Sequence, residues 1–262
     1  MIRRYKRFFV DVELEDGTLV VAHCPNTGSL RGCLSEGARV GLLPAVNPKR
    51  KLRWTWVMIR LGAHWVGVHT GLSVPLVQEA LRESGGAAGD PGLLTELHGY
   101  PRHTTEVKYG VEGRSRIDIL LSRGGEELPG QKVPKARRRF DGDHRVYVEV
   151  KNTTLIEVEN STAAGAGPRR IAAFPDAVTE RGRKHLHELI SVVAQGHRAA
   201  MVYVVQRDDC EGFRPADQID AAYGQALREA EAAGVELYAV KAKLDTSGIE
   251  LKSRLEISLS PH

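Results

Sequence analysis

Apolar and polar residues alternate in short runs over the first part of the chain, which is the pattern of β-strands separated by turns. The segment Glu15-Asp16-Gly17 stands between two such runs, and Asp-Gly is a strong hairpin signal. Five short strands before the first helical pattern predict a small OB-like β-barrel. The predicted strands cover residues 8–14, 18–23, 39–43, 55–60 and 65–69. We expect one of Trp54 and Trp56, not both, to face solvent.

Beyond residue 73, apolar residues recur at helical spacing in three segments. The predicted helices cover residues 74–82, 179–195 and 221–233. The strands predicted around them cover 104–109, 115–121, 146–151, 199–206 and 235–240. The order α-β-β-β-α-β-α-β predicts a mixed sheet flanked by helices, an α/β/α arrangement. The sequence therefore predicts two domains, 1–73 and 74–262, and an α/β fold overall.

Two of these apolar strands carry charged residues in their interior. Asp118 interrupts the first, and Glu149 and Lys151 interrupt the second. Burying a charge is costly unless it is paired or binds a metal. Because side chains alternate along a strand, Glu149 and Lys151 share one face, while Val148 and Val150 share the other.

If Asp118 lies opposite Glu149, two carboxylates converge, and such hard oxygen ligands suit Mg²⁺ or Mn²⁺. A bound metal would neutralise phosphate charge and lower the pKa of a water, while Lys151 would orient that water or stabilise developing charge. We predict Asp118, Glu149 and Lys151 as catalytic residues. Glu79 is predicted to complete the metal shell, with Glu106 as a competing candidate. A salt bridge at a wet sheet edge is the alternative, since the spacing alone is weak evidence.

Composition excludes several other classes of protein. The chain is 42% hydrophobic and 27% charged, which allows a core. No apolar run approaches the length of about 20 residues that a membrane span requires. The three cysteines form no CxxC pair, which argues against a disulfide scaffold or a zinc site. The basic start of the chain lacks the apolar stretch of a signal peptide. The odd number of cysteines favours a reducing cytoplasm, so we expect a cytoplasmic protein.

Positive charge is concentrated at the front of the chain. Residues 1–72 contain 11 Lys and Arg against 5 Asp and Glu. Such a module favours polyanions, although a merely solvated basic face gives the same count. A basic segment at 123–145 is predicted to be a long solvated loop that assists binding. The residues predicted to contact nucleic acid are Arg4, Lys6, Arg7, Arg50, Lys51, Arg181 and Lys184.

The helix predicted at 179–195 begins with basic residues, among them Arg181 and Lys184. Cations there oppose the helix dipole, and a bound phosphate would reverse that cost. His185 and His187 point about 200° apart on a helix and cannot share a metal, so we interpret both as surface residues. His23-Cys24 has no identifiable orienting acid, which disfavours a nucleophilic pair.

Several longer motifs carry a family resemblance. They are Arg4-Tyr5-Lys6-Arg7-Phe8, His23-Cys24-Pro25-Asn26-Thr27-Gly28-Ser29, Arg50-Lys51-Leu52, Thr55-Trp56, Glu106-Val107-Lys108-Tyr109-Gly110, Ser115-Arg116-Ile117-Asp118, Glu149-Val150-Lys151-Asn152, Phe174-Pro175-Asp176-Ala177-Val178-Thr179-Glu180-Arg181-Gly182 and Lys184-His185-Leu186. With these motifs the chain resembles the sugar fermentation stimulation protein A (SfsA) family over almost its whole length. It departs from the family pattern at His69, where Asn is expected before Thr70.

The resemblance implies an OB-like N-terminal domain and a C-terminal domain similar to PD-(D/E)XK nucleases, a restriction-endonuclease-like sheet. It also implies metal-binding and catalytic roles for Asp118, Glu149 and Lys151. We therefore expect a DNA-binding, Mg²⁺-dependent nuclease. One alternative is a DNA-binding regulator linked to sugar metabolism that keeps the scaffold without turnover. Another is a small-molecule enzyme that uses the loop at 23–29. A homodimer is an alternative to a monomer, because nucleases that cut both strands often dimerise.

Overall fold

The computed structural model describes residues 1–82, 92–110, 113, 115–123, 145–159 and 167–261. The basic loop predicted at 123–145 lies outside the described residues except for its two ends. Within the described residues, no helix is long and apolar enough to cross a membrane.

The N-terminal part of the chain forms one sheet of six strands. They are β1 (Arg3–Tyr5), β2 (Phe9–Glu13), β3 (Leu19–His23), β4 (Val40–Pro44), β5 (Trp54–Leu61) and β6 (His64–Gly67). The strand order is β1-β2-β3-β5-β4, and β6 pairs with β5. The pairing of β3 with β5 is parallel and all others are antiparallel. The order ends at β1 and β4, so a closed barrel is not recorded among residues 1–82.

Both tryptophans of β5 point into the core of this sheet. Trp56 is fully buried and Trp54 packs partly buried against the same cluster. The expectation that one of them faces solvent is wrong, because residues two apart on a strand share a face. The aromatic residues of β5 therefore stabilise the N-terminal core and do not offer a stacking surface.

The rest of the described chain alternates helices and strands around a second six-stranded sheet. Its elements are α1 (Ser73–Arg82), β7 (Arg102–Tyr109), β8 (Ser115–Ser122), β9 (Val146–Thr153), β10 (Leu155–Glu159), β11 (Arg169–Phe174), α2 (Glu180–Ala194), β12 (Arg198–Val205), β13 (Gly212–Pro215), α3 (Asp217–Ala232), β14 (Glu236–Leu244), β15 (Ile249–Arg254) and β16 (Glu256–Ile257). The central sheet has the order β15-β14-β12-β9-β8-β7. The predicted order of helices and strands is present in α1, β7, β8, β9, α2, β12, α3 and β14.

Two separate cores lie on the two faces of the central sheet. Helix α1 packs on the face that carries Val148 and Val150, while α2 and α3 cover the face that carries Tyr147. Strand β12 is buried on both faces, as its continuous apolar run predicts. Helix α2 begins where the Thr179 side chain accepts the N–H of Gly182 at 3.0 Å. The protein is therefore a mixed α/β molecule with helices on both sides of a sheet.

A third, four-stranded sheet has the order β10-β11-β13-β16. The sequence patterns predict none of these four strands, although the motif at 174–182 begins at the last residue of β11. These strands are short and β10 is half exposed, so they lack the long apolar run that marks β9 or β12. Their importance lies in β11, because the segment that follows it contacts the N-terminal domain.

The junction between the two domains is built around Gln206, which is fully buried. Its backbone carbonyl accepts the N–H of Gly67 at 2.7 Å. Its side-chain Nε2 donates to the carbonyl of His69 at 3.1 Å and to Oδ1 of Asn152 at 2.6 Å. A Cβ on Gly67 would lie 2.2 Å from Oε1 of Gln206. The close approach of β6 to Gln206 therefore requires glycine at position 67.

Replacing Gly67 by Ala is expected to destabilise the protein by about 1–3 kcal/mol, because an inserted methyl group must displace a packed side chain. Thermal unfolding followed by circular dichroism measures the effect. The matched control is Gly248→Ala, where a Cβ meets nothing within 4 Å. Equal melting temperatures for the two variants would show that the side chains around Gln206 can move to accept the methyl group without loss of stability.

Candidate metal and catalytic site

Asp118 lies where β8 stops pairing with β9. The last recorded pair joins Ile119 to Val148, and the same register places Asp118 opposite Glu149. Oδ2 of Asp118 accepts the backbone N–H of Val150 at 2.7 Å. The side chain of Asp118 thus accepts a hydrogen bond from the backbone of β9, where a backbone carbonyl of β8 would otherwise accept it. This local opening brings its carboxylate beside the charged residues of β9.

Glu149 is buried, with its side chain 2% exposed, and all its recorded contacts involve one oxygen. Oε1 accepts from Nζ of Lys151 at 2.6 Å and from Nδ1 of His185. Oε2 is buried and has no hydrogen-bond partner among the residues that the structure describes. Because an unsatisfied buried acceptor is costly, Oε2 is the atom of this carboxylate that is suited to a ligand.

The two carboxylates differ in their proton affinity. Burial raises the pKa of Asp118 to about 6, and the negative charge of Glu149 adds to the effect. Burial also raises the pKa of Glu149, but Lys151 and His185 together outweigh it, so that pKa lies below its ordinary value. At neutral pH Glu149 is therefore firmly ionised, whereas Asp118 loses its proton only above about pH 6.

His185 is buried in the site, and the interpretation of it as a surface residue is wrong. Its Nε2 accepts from Nε of Arg181 at 3.4 Å, so Nδ1 carries the proton that is donated to Glu149. His187 is exposed, as predicted. A signal was available, because His185 precedes the buried residues Leu189 and Val192 of α2 by four and seven positions.

Glu79 is not brought to this site. It is exposed on α1, whose buried side chains pack against the face of Val148 and Val150. Glu149 is held on the other face by His185 of α2. Among the described residues, no group of three or more His, Cys, Asp or Glu side chains is arranged to hold a metal. The predicted third carboxylate is therefore missing from the site as described, and a metal here would rest on two.

Glu106 lies nearer to Asp118 than Glu79 does. It occupies the position on β7 that the register places opposite Asp118, and it has a left-handed backbone with φ 56°. Its negative charge contributes to the raised pKa of Asp118. Its exposed side chain lies 3.9 Å from Arg116, so it remains a weaker candidate than Glu149.

Arg4, predicted to contact phosphate, instead binds backbone carbonyls of the protein. Its guanidinium donates to the carbonyl oxygens of Arg7, Asn26 and Gly28 at 2.8–3.1 Å, and to that of Ser29 at 3.4 Å. These bonds engage both terminal nitrogens of the guanidinium, and its Nε is buried, so little of the group is left for a phosphate. Arg4 therefore fixes the loop at 23–29, which the sequence could not reveal because its partners are backbone atoms.

The other predicted nucleic-acid contacts are distributed over two surfaces. Lys6, Arg7 and Lys51 are exposed on the N-terminal domain, and Lys6 and Arg7 both have left-handed backbones. Arg50 is half-buried and donates to Oγ1 of Thr55 at 2.8 Å. On α2, the exposed Arg181 contacts His185, and Lys184 lies 3.7 Å from Glu188. Arg181 is thus the predicted contact that is directly linked to the carboxylate site.

A cavity of about 290 Å³ opens beside Asp118 and Lys151. One wall is formed by residues of the N-terminal loop, Asn26, Thr27 and Gly28. The opposite side is formed by the ends of β8 and β9, the start of α1 and the segment after β11. The loop that the sequence marked by its motif alone is therefore part of the same cavity as the charged strands.

Family models match both parts of the chain. The model of the SfsA N-terminal OB domain matches residues 2–68, and that of the sugar fermentation stimulation protein RE domain matches residues 73–248. The chain belongs to the SfsA family. The resemblance drawn from its motifs is confirmed, and the six-stranded N-terminal sheet is the OB domain of the family.

Curated relatives of this SfsA family member match it from end to end. The sugar fermentation stimulation protein homolog of Geobacter metallireducens is 46% identical over 259 residues, covering 99% of this chain and 95% of the relative. That of Thioalkalivibrio sulfidiphilus is 44% identical over 260 residues, covering 99% and 94%. The solved structure of Pyrococcus furiosus SfsA in complex with Ca²⁺ has the same fold, with a TM-score of 0.76, 23% identity, and coverage of 98% and 93%.

Proposed function

We propose that this SfsA family member binds DNA and hydrolyses phosphodiester bonds with Mg²⁺ or Mn²⁺. The observation that carries the proposal is the meeting of Asp118, Glu149 and Lys151 on adjacent strands. Asp118 and Lys151 line one cavity, and Glu149 is buried against Lys151. On this proposal the C-terminal domain is related to PD-(D/E)XK nucleases, with its catalytic residues on β8 and β9.

The residues present fit a divalent cation, which Asp118 and Glu149 would hold. Both offer hard carboxylate oxygens, and the buried Oε2 of Glu149 has no partner within the described part of the chain. The Pyrococcus furiosus protein that shares the fold was solved with Ca²⁺, an ion that prefers the same class of ligand. Two protein carboxylates suffice for Mg²⁺, which retains waters and accepts substrate phosphate oxygens. A bound Mg²⁺ supplies Lewis acidity and lowers the pKa of a coordinated water.

The protein groups around these carboxylates set their charge and position. Lys151 neutralises Glu149 in the free protein, and its ammonium group is placed to stabilise negative charge that develops on a phosphate. His185 holds Oε1 of Glu149 and so leaves Oε2 directed to other contacts. Arg181 fixes the tautomer of His185. The site thus combines two acceptors with a cation in a partly water-excluded setting.

Nucleic acid is the substrate class that the charge distribution supports best. The first 72 residues carry an excess of Lys and Arg, and the exposed ones include Lys6, Arg7 and Lys51. Phosphate contacts of this kind give affinity that falls with salt. The proposal is DNA, with RNA as a competing substrate in the assay.

The test is incubation of the purified full-length protein with single-stranded, duplex and branched DNA and with RNA, in Mg²⁺, Mn²⁺ or EDTA. Products that require the metal support the proposal. Salt-sensitive binding without products under any of these conditions contradicts it, and supports a DNA-binding regulator that keeps the scaffold.

Metal affinity is expected to depend on the protonation of Asp118. With a pKa of about 6, this carboxylate must lose a proton to bind a cation at lower pH. The apparent affinity for Mn²⁺ should rise by up to about tenfold per pH unit up to about pH 6 and then level off. Isothermal titration from pH 5 to 8 measures it, and Asp118→Asn should remove the dependence.

The raised pKa of Asp118 also affects the stability of the metal-free protein, and there a rise in pH is unfavourable. The folded pKa of Asp118 is raised from 3.8, so the folded state binds the proton more tightly than the unfolded state. The contribution of Asp118 to the free energy of unfolding therefore falls as pH rises from about 4 to about 6. A flat difference between wild type and Asp118→Asn over this range would contradict the assignment.

A further inference from the structure

We propose that the cavity between the N-terminal loop and the carboxylate site binds one unpaired nucleotide, so that the protein acts on single-stranded DNA or on a strand end. This inference rests on the proposed function and names its substrate class. It concerns a site that lies between the two domains and uses residues of both.

The cavity is lined by residues from five segments of the chain. Asp118 and Lys151 lie on one side, and Asn26, Thr27 and Gly28 face them from the N-terminal domain. Further lining residues are Thr70, Ser73, Val74, Asn152, Thr153 and Asp176. A ligand inside would therefore be adjacent to the proposed catalytic residues and in contact with both domains.

The N-terminal wall is held rigidly from two directions. From one side, Arg4 binds the carbonyls of Asn26 and Gly28. From the other, Oδ2 of Asp176, in the segment after β11, accepts from Oγ of Ser29 and from the N–H of Leu30, both at 2.9 Å. A wall fixed by so many bonds is preorganised, which lowers the cost of binding.

The cavity is large enough for a single nucleotide and too small for a segment of duplex. Its volume of about 290 Å³ is close to the lower limit of roughly 300 Å³ for small-ligand pockets. That space accepts one nucleotide and excludes a stacked base pair with its neighbours. A target nucleotide must therefore leave the double helix to enter, and an unpaired strand avoids that cost.

One polar atom of the cavity lining has no partner. Oγ1 of Thr153 is buried and has no hydrogen bond within the described structure. A hydroxyl can both donate and accept, so it suits the edge of a base or a sugar oxygen. Its unpaired state in the free protein is a cost that a bound ligand would remove.

His23, His69 and Arg50 lie close together beside the same loop. Burial and the charge of Arg50 lower the pKa of His23. Burial lowers the pKa of His69, and His23 and Arg50 add to the effect. Both shifts favour the neutral histidine at pH 7, so Arg50 is the cation of these three residues. Thr70, next to His69, donates to the carbonyl of Pro25 at 3.2 Å. Arg50 therefore supplies a positive charge near the loop for the phosphates of a strand that enters the cavity.

The test is DNA binding measured by fluorescence anisotropy in EDTA, so that the result does not depend on cleavage. The probes are a labelled single strand of about 12 nucleotides and the blunt duplex of the same sequence. Wild-type protein is expected to bind the single strand about tenfold more tightly than the duplex. Equal affinities, or a preference for the duplex, would overturn the inference.

Two variants locate the binding in the cavity. Val74→Trp fills it from α1 and should weaken single-strand binding about tenfold, with duplex binding within about twofold. Val158→Trp, on the exposed face of β10, is the control for an added indole and should change neither. Unchanged single-strand affinity in a folded Val74→Trp protein would place the binding elsewhere.

Thr153→Val tests the same cavity without changing its volume, in case Val74→Trp does not fold. A loss of single-strand affinity of about threefold to tenfold is expected, because one hydrogen bond to the ligand is removed. No loss would contradict the role of Thr153.

The two proposals can fail separately. If single-strand preference is present but no substrate is cut, the nuclease proposal fails and the binding inference stands. If duplex DNA is cut as fast as single strands, the nuclease proposal stands and the inference of single-strand binding in the cavity fails.

Discussion

Asp118→Asn is expected to reduce metal-dependent DNA cleavage by about 100-fold or more, because it replaces a ligand carboxylate by a neutral amide. The amide oxygen can still accept the N–H of Val150, so the end of β8 should keep its shape. The variant also removes the buried like charge beside Glu149. We therefore expect a folded, equally stable or slightly more stable protein with greatly weakened Mn²⁺ binding.

Lys151→Met should reduce cleavage by about 100-fold to 1,000-fold for a different reason, the loss of a positive charge near the phosphate. It retains both carboxylates, so Mn²⁺ binding should persist. The separation of the two effects is the informative result, and initial cleavage rates together with calorimetric Mn²⁺ titration measure it.

Glu79→Gln is the matched control for Asp118→Asn, because it changes an exposed acid on α1. Lys252→Met, at an exposed lysine of β15, is the control for Lys151→Met. Both controls should cut within about twofold of wild type, as surface substitutions are usually small in effect. Full cleavage activity in Asp118→Asn would remove this site from the mechanism. A large loss in Glu79→Gln would restore Glu79 as the third ligand.

Replacing His185 by Leu is expected to lower the free energy of unfolding by about 2–3 kcal/mol, because a buried hydrogen bond to a charged group is lost. Of the two partners described for Glu149, Lys151 would then remain. The pKa of Glu149 should rise, and its carboxylate should lose the orientation that leaves Oε2 available. Chemical denaturation at pH 7 measures the stability, and cleavage rates measure the positioning.

His185→Asn separates these roles, since its amide nitrogen can occupy the place of Nδ1 and donate to Oε1. We expect it to recover a substantial part of both stability and cleavage. His187→Leu, on the exposed side of the same helix, is the control and should be near neutral. If His185→Leu matches wild type in stability and cleavage rate, the hydrogen bond between His185 and Glu149 contributes to neither.

Much of the fold could be predicted from periodicity. The long apolar runs of β9 and β12 and the helical stripe of α2 are strong signals, since each element buries a whole face. The alternation in β9 also predicts correctly that Glu149 and Lys151 share a face. These features depend on local sequence and on burial, which a single chain displays directly.

Other features depend on distant partners and leave no local pattern. The hydrogen bonds of Arg4 go to backbone carbonyls, which every residue possesses, so its charge suggested a phosphate contact. Glu79 has the right chemistry but lies over the wrong face of the sheet, which depends on the tertiary position of α1. The sheet of β10, β11, β13 and β16 consists of short strands whose pairing joins segments far apart in sequence.

The rigid wall that the N-terminal loop gives to the cavity has a consequence for the independence of the two domains. A fragment that begins at residue 73 keeps Asp118, Glu149 and Lys151, yet it presents them on an open edge. On the proposed function, we expect such a fragment to keep its cleavage activity and to lose its preference for unpaired strands. The OB domain would then be part of the selective site, because its loop supplies the wall that excludes duplex DNA from the cavity.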